Sequence, residues 1–484
     1  MKNSLIIFNS LLLLVVLFFG FKVFNLHSEK HLNVILISID ALRADEMSLY
    51  GYSKKTTPNI DNWAQNASVF TNVRTVVPMT QPSFSALFTG IEPFNTGIIS
   101  NGSPFIDFNT PTLMTVLANH GYTTTAFTAN FAGLKNQFQN FNYYAYKDHY
   151  NDEAGVERYI MDASQGSTKM IRDAAGWLNR NSSKQFFMWL HLMDVHAPYY
   201  PADKYRCEFD TKYCPELLGK RLDQIDADRA QYQMCQEKPV PQDRIDEMRT
   251  VYDGGVAQAD DYVGQILAKI KSLGLDKNSI IVLYADHGEG LDHDYLFNHR
   301  AVLYDSAVHI PLVIYDPLVS SYNKRSDMVI ENTDIMPTIL SLVGISSSGL
   351  NIDGHSFANI IDGDLVPNLN YQPRKYVYSV NSNWTKFSIF DGRYKYIYSL
   401  PESCVDHGQT EELYDTRQDP KELKNLVKSN SQKTKDLKKQ LFYYLSKYNL
   451  PASGTLPAEM QDGDDAGSNA QDQKLQDEIR SMGY

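Results

Sequence analysis

Cysteine is scarce in this chain. Four occur in 484 residues, at positions 207, 214, 235 and 404, and none has the spacing of a zinc ribbon. That excludes a cysteine-built structural metal site. In an exported chain, four scattered cysteines most simply form two disulfides. Cys207–Cys214 would close a small loop and leave Cys235–Cys404; free thiols in a tolerant loop are the other reading. Positive charge is also short: 45 Lys and Arg against 57 Asp and Glu leave a net charge of −12. Phosphate-backbone binding wants a basic stripe, so no nucleic-acid partner is expected. An anionic small substrate stays open, because a bound cation can outweigh the global charge locally. No internal repeat is visible.

The N-terminus lacks a convincing small-x-small cleavage site and a lipobox cysteine. It does have an apolar stretch from Leu5 to about Phe24, interrupted by Asn9, Ser10 and Lys22. This is long for a signal-peptide core and about right for one membrane span. An uncleaved signal anchor is preferred to a cleaved signal, with the body membrane-anchored and extracytoplasmic. Sequons at Asn66, Asn101, Asn181 and Asn383 matter only in a eukaryotic secretory host.

Hydrophobic residues make up 43% of the chain, enough for a sizeable core. From Asn33 to about Pro317, short apolar runs alternate with helical patterns. The strand-like runs include Val34–Ile39, Thr123–Thr128, Phe186–Leu190 and Ile280–Tyr284. Helices are expected over Thr112–Asn119, Ser167–Asn179 and Arg244–Leu273. Such alternation implies an α/β fold with a large, mostly parallel sheet between helices. Tyr376–Val380, Thr385–Phe390 and Tyr394–Tyr398 are short and aromatic-rich, which suits a small antiparallel sheet. Lys428–Tyr448 reads as an amphipathic helix. The expected organisation is an anchor and stalk (1–30), a catalytic domain (31–371), a C-terminal subdomain (372–450) and an acidic flexible tail with a short terminal segment (451–484). Residues 200–242, polar and holding three of the four cysteines, read as an insertion near the site.

Three buried-type strands end in residues that bind metals. Val34–Ile39 runs into Asp40, Phe186–Leu190 into His191, Asp194 and His196, and Ile280–Tyr284 into Asp286, His287 and Gly288. Chemistry in open α/β sheets gathers at the carboxyl ends of strands, so the three ends predict one metal-dependent hydrolytic site. Gly288 is expected to permit the turn. Thr80 stands just before a helix whose first turn holds Pro82, where backbone N–H groups favour an anion. A hydroxyl there can lose its proton to a metal and attack an ester. Of His191 and His196, one would bind the metal or the anion and the other would act as a general acid. His299 or Arg300 would face the substrate anion. Asp292 and His293 look like solvated loop, and Arg43 with Asp45 is either a support for the site or a surface pair. Imidazole beside carboxylates favours zinc or manganese over calcium or magnesium.

Taken together, these segments resemble the sulfatase branch of the alkaline phosphatase superfamily. The resemblance rests on Asn33–Asp40, Leu49-Tyr-Gly51, Thr57–Asp61, Pro82-Ser83 with Thr89-Gly90, and His120–Thr123. It continues through Asp286-His-Gly288, Asp334–Thr338, Asp353-Gly354, Glu412–Asp415 and Met482-Gly-Tyr484. It implies an alkaline phosphatase-like sandwich with a smaller C-terminal antiparallel sheet plus helix. The departures bear on the chemistry. Sulfatases carry Cys or Ser, converted to formylglycine, where this chain has Thr80, and threonine cannot be oxidised to that aldehyde. The arginine expected after Pro-Ser is Phe84, and the second of two paired aspartates is Ala41. The Gly-Lys-Trp-His stretch is absent, with Thr123–Asn130 in its region, and the calcium-site Asp-Asn is Asp286-His287. A threonine beside an Asp-His site resembles lipoteichoic acid synthases, phosphoethanolamine transferases and nucleotide pyrophosphatase/phosphodiesterases. By that resemblance Asp40, Thr80, Asp286 and His287 hold one divalent metal. His196, with His191 and His299, contacts the transferred group or a second metal, and Asn130 reaches an oxygen of that group. The substrate expected is a phosphate ester, or a sulfate ester, of a lipid, glycan or small molecule. The rival from another class is an inactive binding protein on the same fold.

Overall fold

Seven residues, Asn33–Ile39, form strand β1, and each is buried. A strand buried at every position is covered on both faces, which is why its sequence does not alternate. The same holds for β7 (Phe186–Leu192) and β8 (Ser279–Tyr284). The computed structural model describes residues 32–448, apart from 102, 104–108, 130–137, 145–147, 152–156, 161–162, 198, 200, 211, 213–239, 294–298, 320–323, 363–373, 383 and 401–409.

The remaining large-sheet strands are β2 (Ser68–Arg74), β3 (Thr123–Thr128), β4 (Asn140–Tyr143), β9 (Leu312–Tyr315) and β10 (Lys324–Glu331). Their order is β10-β2-β9-β8-β1-β7-β3-β4. Only β9 runs antiparallel to its neighbours, β2 and β8. A separate ladder pairs β5 (Asp148–Asn151) with β6 (Glu157–Ile160). The three strands whose ends carry the candidate ligands are therefore adjacent at the centre of the sheet. Register places Ser38 opposite both His191 and Tyr284.

Helices α1 (Pro58–Ala64), α4 (Ala163–Asn181) and α5 (Gln242–Ser272) form one packed group. Helices α2 (Thr80–Thr89), α3 (Leu113–Asn119) and α6 (Ile335–Leu342) form another. Thr112 caps α3 with a reciprocal capping box to Thr115. The C-terminal sheet is an antiparallel meander of β11 (Val377–Val380), β12 (Lys386–Phe390), β13 (Tyr394–Ser399) and β14 (Glu411–Asp415), with α7 (Ser431–Ser446) packed on it. The apolar cluster beneath this sheet also takes in Val76, Val77, Met79 and Ala86. The Ser379 hydroxyl and the Val380 N–H donate to the carbonyls of Thr75 and Val76. The small sheet thus floors the segment leading into Thr80.

Sequence and structure differ in places. Strands β2, β9, β10 and β14 are not among the expected runs, and β10 begins with the charged Lys324-Arg325. The expected anchor and the acidic tail lie outside the described residues. Among the described residues, no helix is long and apolar enough to cross a membrane. Cys207 is disulfide-bonded; Cys214, Cys235 and Cys404 fall outside the described residues.

Candidate active site

Asp40 follows β1 directly, and Asp286 and His287 leave β8 after Ala285; all three are fully buried. Thr80 comes from a different layer, as the first residue of α2 with Met79 as its cap. Its position differs by one residue from the sequence expectation, which put it just outside the helix. The anion-binding expectation for that terminus is also reduced, because the Gln81 N–H already donates to the Asn101 side chain.

The four side chains converge on the His287 Nε2 atom. Thr80 Oγ1 lies 3.4 Å from it, and one carboxylate oxygen each of Asp40 and Asp286 lies 3.5 Å away. Ligand atoms set tetrahedrally about 2.1 Å from a zinc ion stand roughly 3.4 Å from one another. The His287 Nδ1–H donates to the Gly288 carbonyl at 2.8 Å, which leaves Nε2 as the ring atom facing the cluster. Asp286 Oδ1 accepts from the N–H groups of Ala41 and His287. Its Oδ2 is buried with no hydrogen-bond partner among the described residues. A buried carboxylate oxygen of that kind calls for a cation. The donor set therefore fits a divalent metal. Asp40, His191 and Asp286 also offer ligand atoms that all lie within 4.8 Å of one another.

The charges agree with that reading. Burial raises the Asp286 pKa, and the Asp40 charge raises it further. Burial would also raise Asp40, but the rings of His196, His191 and His287 outweigh it and hold the carboxyl well below its ordinary range. Burial pulls His287 down, yet Asp286 and Asp40 bring its pKa above the usual imidazole value. Two buried carboxylates on one ring nitrogen attract positive charge, whether a proton or a metal.

A second histidine group adjoins the first. The His299 ring stacks on His287 with centroids 4.1 Å apart, and His196 lies 5.7 Å from His299 and 6.4 Å from His287. His299 Nδ1 pairs with Glu289 Oε1 at 3.1 Å, and its Nε2 is buried without a hydrogen-bond partner among the described residues. Burial and the adjacent His287 push His299 down to about 3, against the pull of Glu289. Burial raises Glu289, but His299 and the neighbouring rings bring it to about 2. Arg300 is half-buried, and its carbonyl accepts from Ser382 N–H beside the small sheet. Asn130 lies outside the described residues.

Several sequence expectations change. Asp194 turns away from the cluster, accepting from Ser167 and Gln258, and so braces the loop that carries His196. Asp292 and His293 are not solvated loop: Asp292 pairs with the buried Arg43, and His293 stacks on Tyr304. Arg43 also binds Asp45 and the Glu289 carbonyl, tying the turn after β1 to the loop after β8. Gly288 is needed for space rather than for its φ, since a Cβ there would meet the Ser306 carbonyl oxygen at 2.0 Å. Ala41, by contrast, has φ +58. Its carbonyl accepts from the Tyr252 hydroxyl, which in turn accepts from Arg43 N–H. Glu289, Ser38 and Trp189 have no role in the sequence reading. Glu289 stands inside the Asp-His-Gly-Glu motif, which is the signal that could have found it.

Comparison with known proteins agrees with this architecture. The sulfatase family model matches residues 32–345, and the model for the N-sulphoglucosamine sulphohydrolase C-terminal region matches residues 292–449. The chain is 23% identical over 452 residues to an arylsulfatase of Clostridium perfringens, covering 83% of this chain and 91% of the relative. The solved structure of a 2-O GAG sulfatase aligns with a TM-score of 0.67 at 21% identity, over 86% of this chain and 92% of that one. A phosphonate monoester hydrolase from Silicibacter pomeroyi aligns at 0.65 and 21% identity, over 86% and 95%. These two structures support the fold, and the family match spans well over half the chain. This protein is accordingly a member of the sulfatase family, within the alkaline phosphatase superfamily, and an ester-hydrolysing enzyme.

Proposed function

We propose that the protein cleaves or transfers a phosphate ester with Thr80 as the nucleophile. One observation carries the reading: the Thr80 hydroxyl lies in the same buried cluster as Asp40, Asp286 and the Nε2 atom of His287. Asp40, Asp286, His287 and Thr80 would hold the metal, zinc or manganese by the presence of imidazole, with calcium or magnesium as the oxygen-preferring alternatives. Such an ion lowers the pKa of a bound hydroxyl and screens charge on the ester. Thr80 Oγ forms a bond to phosphorus while the bond from phosphorus to the leaving oxygen breaks. His299, held by Glu289 through Nδ1, would take the proton that Thr80 releases on its open Nε2 and pass it to that oxygen, and His196 flanks the transferred group. Water or an alcohol then releases the phosphoryl group from Thr80. Phe84 brings no positive charge to the site, so this chain lacks the arginine that the family resemblance leads one to expect there.

Sulfate-ester hydrolysis is the second reading. It is favoured by the family itself and by relatives named for sulfatase activity, one of them on a GAG. A sulfated glycan is its natural substrate class. We further infer that residues 1–30 anchor the enzyme outside the cytoplasm, a reading supported by the apolar N-terminal stretch and the disulfide-bonded Cys207. The test is an ester panel of aryl phosphate monoesters, diesters and aryl sulfate, each with zinc, manganese or calcium. Phosphate-ester turnover should exceed sulfate turnover, and quenched reactions should show a phosphorylated peptide containing Thr80. Thr80→Ala should fold normally and lose turnover; wild-type turnover in that variant refutes the nucleophile, and preferential sulfate cleavage selects the second reading.

A further inference from the structure

His191 raises a problem that distance alone does not solve. Its ring offers one of three candidate ligand atoms, with Asp40 and Asp286, and its Nε2 faces Asp40, so it competes with His287 for the role of imidazole ligand. The hydrogen-bond chain behind it decides the matter. Trp189 Nε1–H can only donate, and it donates to Ser38 Oγ at 2.8 Å. Ser38 is fully buried, and its hydroxyl has one other partner among the described residues, His191 Nδ1 at 2.8 Å. The Ser38 proton therefore goes to His191 Nδ1, which must be the acceptor. That fixes the tautomer with the proton on Nε2, and Nε2–H points at Asp40 Oδ2, 3.2 Å away.

The opposite tautomer fails at both ends. It would put a lone pair against a carboxylate oxygen. It would also leave the Ser38 hydroxyl proton buried without an acceptor, which folded interiors avoid. The distances separate the two histidines as well. The His191–Asp40 separation is that of an N–H···O hydrogen bond, while the 3.4 and 3.5 Å contacts of His287 Nε2 are longer. Packing holds the His191 ring in place: Trp189 stacks on it with centroids 5.3 Å apart, and Phe84 meets it edge-on at 4.9 Å.

We infer that His191 is a positioning residue, not a metal ligand: the Trp189–Ser38–His191 chain donates to Asp40 Oδ2 and leaves Oδ1 aimed at the metal beside His287. The inference rests on the metal reading above. It also gives Phe84 a purpose, as part of the apolar wall around the relay.

The test needs no catalytic assay. In the full-length protein with 15N-labelled histidine, long-range proton–nitrogen correlation should show His191 as the Nε2–H tautomer and His287 as the Nδ1–H tautomer. X-ray absorption on the zinc-loaded protein should count one imidazole. Ser38→Ala and His191→Phe should still bind one zinc with one imidazole, about 10- to 100-fold more weakly in chelator competition. His287→Gln should lower the imidazole count to zero. An Nδ1–H tautomer for His191, two imidazoles in the wild type, or a lower count in His191→Phe would overturn the inference while leaving the metal reading intact. A wild-type protein that binds neither zinc nor manganese would overturn the metal reading, and this inference with it. If His191→Phe does not fold, the wild-type tautomer and imidazole count still decide.

Discussion

Lys395 gives the sharpest test of the architecture away from the chemistry. It lies on β13 with its side chain 1% exposed, 2.8 Å from Asp305 and 2.5 Å from Glu422. Asp305 has a second cation in Arg74, at 2.7 Å; among the described residues Glu422 pairs with Lys395 alone. Burial pushes Glu422 up to about 7 even with Lys395 pulling it down. Lys395→Met would leave the Glu422 carboxyl either charged in the interior or forced to take up a proton, and breaking a buried pair of this kind costs up to about 3–5 kcal/mol. Unfolding entropy of about 2.1 cal/mol/K per residue makes 1 kcal/mol worth roughly 1 °C in a chain of this size, so the apparent Tm should fall by up to about 3–5 °C. Glu422→Gln in the Lys395→Met background removes that carboxyl and keeps an acceptor for the Asp305 N–H. It should recover part of the loss. Thermal and denaturant unfolding at pH 7.5 with fixed metal content are the assays. A fall below about 1 °C, or a double variant less stable than Lys395→Met alone, would refute the argument that this seam is held by the ion pair.

Other outcomes follow from the same geometry. Gly288→Ala should cost about 1–3 kcal/mol and weaken metal binding, because its Cβ would overlap the Ser306 carbonyl oxygen and displace the Asp286-His287 turn; unchanged zinc affinity in chelator competition counts against it. Glu92 is buried, its Oε2 has no partner among the described residues, and burial together with Glu331 pushes its pKa up to about 9. The native state thus holds a proton that the unfolded state has released above its ordinary value of 4.5, and stability falls as pH rises between those two values. Glu92→Gln should therefore raise the apparent Tm at pH 8.5 and change it little at pH 4; an equal shift at both pH values would remove the charge explanation. Chelation should lower the apparent Tm and metal should restore it, since a ligand bound only by the native state stabilises it. A Tm indifferent to chelator in protein shown by elemental analysis to contain metal would contradict the placement of the ion among buried carboxylates.

The central sheet was legible because burial on both faces leaves unbroken apolar runs, as in Val34–Ile39 and Ile280–Tyr284. The Asp-His-Gly motif and Asp40 were legible as strand ends. Edge strands such as β10, with charged residues within a short run, lose that signature. The relation between Ser38 and His191 could not be read from a chain that separates them by 153 positions; it exists only once β1 and β7 are in register. Asp194 and His196 looked alike as strand-end ligands. Which of them faces the cluster depends on α5, whose Gln258 draws Asp194 away. Gly255 on the same helix admits the loop backbone, since a Cβ there would stand 2.6 Å from the Asp194 carbonyl oxygen. Glu289 was printed in the motif, but its role depends on where His299 returns ten residues later.

Ala41 keeps a left-handed backbone although its methyl group binds nothing. Tyr252 and Asp286 grip the main chain on either side of its Cα, so the bend persists whatever side chain stands there. Aspartate and asparagine tolerate this conformation better than alanine does. An aspartate at position 41 would therefore keep this bend and add an oxygen donor next to Asp40, the kind of ligand that calcium takes.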